Sequence, residues 1–67
     1  MRYLQLKKSS AIDKIIIDAI IREKTNEEIV EETGYSLSYI KKRLHFLYGV
    51  YNVRTKVGLV REVLREL

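Results

Sequence analysis

Apolar residues recur three and four apart through four separate stretches of the chain, and polar residues able to cap a helix stand before each. Ile12, Ile15, Ile16, Ala19 and Ile20 mark the first stripe. The run from Ile15 to Ile21 is β-branched and would suit a strand, but Asp13, Lys14, Asp18 and Arg22 fall on the other side and favour helix. Ser9 and Ser10 are N-cap residues, and Asp13 three residues after Ser10 makes an approximate capping box. The spacing predicts a first helix from about Ala11 to Glu23. Thr25-Asn26-Glu27-Glu28 is a fuller capping box and opens a second helix, Asn26 to Thr33, with Gly34 at the left-handed stop. Ser36 caps a third helix, Leu37 to Tyr51, which Asn52 can close in the left-handed conformation. Thr55 caps a fourth, Lys56 to Glu66, with Leu59, Val60, Val63, Leu64 and Leu67 apolar.

These elements predict an all-α fold: one compact four-helix domain over residues 1–67, with residues 1–8 as a leader or arm. The expected core is Ile12, Ile16, Ile20, Ile29, Val30, Ile40, Leu44, Leu47, Val53 and Leu59. The link Gly34-Tyr35-Ser36 joins a short helix to a longer cationic one. A three-residue, glycine-containing turn of this kind is the mark of a helix-turn-helix.

The third helix has two unlike faces. Leu37, Ile40, Leu44, Leu47 and Tyr51 form a greasy back, and Ser38, Lys41, Lys42 and His45 form a cationic, hydrogen-bonding front. Charge sharpens the picture. Residues 1–35 carry six Lys/Arg and seven Asp/Glu, net −1, whereas residues 36–67 carry seven and two, net +5. Between Thr33 and Arg61 there is no acidic residue, while Lys41, Lys42, Arg43, Arg54 and Lys56 all fall there. A polyanion is the partner that such asymmetry suits, and a helix with this front fits the major groove of DNA.

Other chemistries find little footing. The chain has no cysteine and a single histidine, so it offers neither a disulfide nor the ligands of a zinc site, and no cofactor is expected. His45 lacks a nucleophile to serve and an acid placed to orient it, so an enzyme is not expected. The longest apolar runs are broken by Asp18 and Arg22, and no signal-peptide pattern precedes them, so a cytoplasmic protein is expected.

With the motifs laid out, the chain resembles the LuxR-type (GerE-like) DNA-binding domain of bacterial transcription regulators, over about Ser10 to Val63 without a gap. Asn26-x-Glu28-Ile29-Val30-x-x-x-Gly34-Tyr35-Ser36 is similar to that family's N-x-E-I-A-x-x-L-G-I-S. Ser38-Tyr39-Ile40-Lys41-x-x-Leu44-x-x-Leu47-Tyr48 is similar to its K-T-V-K-x-H-L-x-x-I-Y. Tyr51-Asn52-Val53 falls at its L-G-V, and Leu59-Val60 at the L-V of its last helix. Glu23 and Asn52 stand where the family has glycine, Thr33 where it has leucine, and Arg43 where histidine is common.

The resemblance implies that the third helix enters the major groove of double-stranded DNA and that Lys41, Lys42 and His45 contact bases. Lys can donate to guanine O6 and N7, and His can donate or accept. Ser36, Ser38 and Tyr39, at the third helix N-terminus, suit phosphate oxygens, and Arg43, Arg54 and Lys56 join them as phosphate contacts. The family's fourth helix often makes a two-fold dimer on palindromic sites, and here the apolar stripe Val60, Leu64 and Leu67 is expected to form a homodimer interface, the alternative being that it packs on the Met1–Leu6 leader. Most members carry a further sensing or receiver domain, so this chain resembles either the rare stand-alone members, which Met1 favours, or a domain excised from a longer protein. The competing reading is a helix-turn-helix module that docks another regulator or RNA polymerase through Tyr39, His45 and Phe46. Tyr35, Tyr48 and Tyr51 are expected to be partly core, and the acidic second helix (Glu27, Glu28, Glu31, Glu32) to be a solvated face.

Overall fold

The computed structural model describes residues 11–66. Four helices account for most of them: α1 (Ala11–Ile21), α2 (Asn26–Thr33), α3 (Leu37–Tyr51) and α4 (Lys56–Glu66), with no strand among the described residues. Three of the four match the expected boundaries, because side chains or left-handed residues fix their ends. The Thr25 hydroxyl accepts from the Glu28 N–H at 3.1 Å, and the Glu28 carboxylate accepts from the Thr25 N–H at 2.8 Å. Gly34 at φ 79° stops α2, its N–H donating to the Val30 carbonyl. The Ser36 hydroxyl caps α3 by accepting from the Tyr39 N–H at 3.2 Å. Asn52 at φ 55° closes it. Thr55 caps α4 through the Gly58 N–H at 3.0 Å.

The first helix differs from expectation in length and rotation. It ends at Ile21 rather than Glu23. Glu23 takes φ 62°, its N–H bonding to the Ile20 carbonyl and that of Lys24 to the Ala19 carbonyl. This pair of bonds is a Schellman closure, with Glu23 in the position that glycine fills without steric cost. Ile16, Ile17, Ala19 and Ile20 are buried, whereas Ile15 is exposed and Ile12 half-buried. The inward stripe is therefore turned by about one residue from the expected one, and Asp13, expected on the polar side, lies inside at 1% exposure. The Ser9 and Ser10 caps and the leader lie outside the described residues.

Around the α1 stripe sit Ile29 of α2, Ile40, Leu44, Leu47 and Tyr51 of α3, and Leu59 and Val63 of α4. Ile12, Val30 and Val53 pack against this core as partly buried residues. Helices α1, α3 and α4 pack on one another, and α2 packs on α3. Polar ties join their ends. Arg22 at the end of α1 bonds Glu32 of α2, Lys56 bonds Asn26, and the Tyr51 hydroxyl donates to Glu66. Gly58 lets α4 start close to the preceding turn, since a Cβ there would lie 3.2 Å from that of Val53. No helix is long and apolar enough to cross a membrane among the described residues.

Candidate nucleic-acid interface

The greasy back of α3 is buried against the other helices, so its opposite side is fixed as a surface. Ser38, Lys41, Lys42 and His45 are all exposed there, together with Phe46 and Gly49. Among the described residues, no ion pair engages Lys41 or Lys42. The acids that are paired sit elsewhere, on α1, α2 and the end of α4. The front of α3 is therefore a cationic strip whose charge the fold leaves uncompensated.

The N-terminal end of α3 is built from hydroxyls and rings. Ser36 and Ser38 are exposed, with their oxygens 3.4 Å apart, and Ser36 also serves as the cap. The Tyr39 ring stacks on that of Tyr35 with centroids 4.9 Å apart, which holds both rings beside the helix start. Tyr35, expected to be partly core, is instead exposed, whereas Tyr51 is buried and Tyr48 half-buried. Burial raises the Tyr48 phenol above its ordinary pKa.

The three remaining cations divide. Arg54 is exposed in the α3–α4 turn and makes no ion pair among the described residues. Lys56 is half-buried, and its ammonium donates to the Asn26 side-chain oxygen at 2.6 Å. Arg43 reaches across to α1. Its Nε and Nη2 donate to the two carboxylate oxygens of Asp13 at 2.9 and 2.6 Å. The hydrogen bond to Asp13 raises the Arg43 pKa, so the guanidinium is a fixed cation. Its carbon end lies 4.5 Å from the centre of the Phe46 ring. Arg43 thus ties α3 to α1 and backs an exposed aromatic; any phosphate contact would have to share it with Asp13.

The expected sites therefore fall into an open set and an engaged set. Lys41, Lys42, His45, Ser36, Ser38 and Arg54 are open; Arg43 and Lys56 are engaged within the fold; Tyr39 is half-buried in a stack. On α4, Val60 is half-buried and Leu64 is exposed, while Leu67 lies outside the described residues. Val57, absent from the expected interface, stands 78% exposed one turn earlier. Val57 and Val60 border a groove of about 380 Å³ that Ile20 and Ile21 line from α1. No family model matches the chain, and no curated protein or solved structure matches it either.

Proposed function

We propose that this protein is a sequence-specific, double-stranded DNA-binding transcription regulator of LuxR/GerE-like helix-turn-helix type. In this reading α3 enters the major groove, Lys41, Lys42 and His45 address base edges, and Ser36, Ser38, Tyr39 and Arg54 hold phosphates. One observation carries the reading: the front of α3 combines unpaired lysines, a histidine and hydroxyls on a helix whose back is locked into the core. Phosphates favour such a strip through counterion release, and base edges favour directional donors held on a rigid element. No catalysis and no cofactor enter this account. The protein acts in the cytoplasm, where its DNA would lie.

In the same reading two copies pair through α4, using Val57 beside Val60 and Leu64 with Leu67, and so double the footprint on a palindromic site. The competing reading is a module that docks another regulator or RNA polymerase. The observation in its favour is Phe46, which is half exposed on the α3 front beside Tyr39 and His45.

A mobility shift against sheared genomic DNA at two salt concentrations separates the two. The DNA reading predicts binding at low salt that weakens steeply as salt rises, with a sequence-selected fraction still bound at the higher concentration. Absence of binding at low salt would favour the docking module.

A further inference from the structure

Phe46 is the one large apolar side chain that stands half exposed on the α3 front. It lies four residues after Lys42 and seven after Tyr39, so the three share a stripe. His45 precedes it in the chain. The phenyl ring is half exposed amid lysines, yet its surroundings hold it still. The Arg43 guanidinium covers the ring at 4.5 Å, and Asp13, itself buried in α1, grips that guanidinium by two hydrogen bonds. An unbroken path of side chains therefore runs from the core to the ring.

We infer that Phe46 reads the 5-methyl group of a thymine in the major groove, which makes it a specificity-determining residue of the DNA-binding surface proposed above, on which this inference rests. The major groove presents one apolar group among its base edges, the thymine methyl, and phenylalanine is among the residues that contact it. The ring is poorly placed to stack on an unpaired base, because the cation of Arg43 already occupies one side. It is also a weak anchor for a protein partner. The centre of a protein interface is poor in lysine, and here Lys42 stands one turn away on the same stripe.

The test uses duplexes that the protein itself enriches from a random pool, prepared either with thymine or with uracil, which lacks only the methyl. Wild-type protein should bind the thymine duplexes more tightly by about fourfold per thymine read, the factor that burying one methyl-sized group corresponds to. Phe46→Ala should bind the thymine duplexes more weakly and should no longer distinguish them from the uracil set. Equal binding of both sets by the wild type, or a difference that persists in Phe46→Ala, overturns the inference while leaving the DNA-binding reading in place. If no duplex is enriched at all, the DNA-binding reading itself falls, and this inference falls with it.

Discussion

Asp13 holds a carboxylate at 1% exposure, and Arg43 answers it with a paired, two-point grip. Taking a charge out of water is costly, and the interaction is favourable only because both oxygens are met. Removing the arginine takes from the buried Asp13 carboxylate the cation that meets both of its oxygens. Arg43→Ala should therefore cost about 3 kcal/mol, read as a fall in the thermal or urea midpoint. Replacing both partners with apolar residues, Asp13→Leu with Arg43→Met, should recover most of that loss. If Arg43→Ala unfolds with the wild-type midpoint, the pair has no structural role. The pair was legible in the spacing, though hidden by its polarity. Asp13 stands three, four and seven residues before Ile16, Ile17 and Ile20, and Arg43 stands three after Ile40 and four before Leu47. Opposite charges on two inward stripes have one good way to coexist. Sorting residues by polarity alone puts both outside.

Helix ends, at the next scale, explain which elements could be read and which could not. Helices α2, α3 and α4 open on Thr25, Ser36 and Thr55, whose hydroxyls can satisfy the free N–H groups, so their starts are written in the sequence. The end of α1 is closed by Glu23, and glutamate gives no signal for a left-handed backbone. Three consecutive isoleucines likewise leave the rotation of α1 ambiguous, since each of Ile15, Ile16 and Ile17 is equally apolar. The cap of α2 has a pH signature. Accepting the Thr25 N–H holds the Glu28 carboxyl below its ordinary pKa. A depressed folded-state pKa contributes stability above the unfolded-state value of 4.5 and loses it as pH falls through the lower, folded one. Glu28→Gln, which can still accept from Thr25, should keep the helix while flattening the acid limb of a pH–stability curve below that value. An acid limb as steep as that of the wild type would remove Glu28 from the account.

For the whole molecule, the back of each helix defines the core and leaves two surfaces to explain: the α3 front and the apolar stripe of α4. The second was legible at Leu64 but not at Val57, because an apolar residue in a first helical turn reads equally well as core, and Val60, expected on it, is partly packed on the core. Leu64 is 52% exposed and Val57 78%, and among the described residues no further layer covers them. Pairing two such stripes about a two-fold axis would bury them and set two copies of α3 roughly 34 Å apart, one turn of DNA. Sedimentation at micromolar protein should show a dimer, either free or on a palindromic duplex, and Leu64→Arg should shift it to monomer. A wild type that is monomeric in both conditions removes the dimer and leaves the DNA-binding reading intact.

The central claim is that the α3 front reads sequence, and its most direct measurement compares affinity for enriched and random duplexes across alanine variants. Lys42→Ala and His45→Ala should each weaken binding to the enriched duplex more than to random DNA, by ~1–3 kcal/mol for each base edge no longer read. Arg54→Ala should weaken both about equally and reduce the salt slope by roughly one unit. Equal weakening on enriched and random DNA for Lys42→Ala and His45→Ala would contradict the account, because α3 would then bind charge without reading bases.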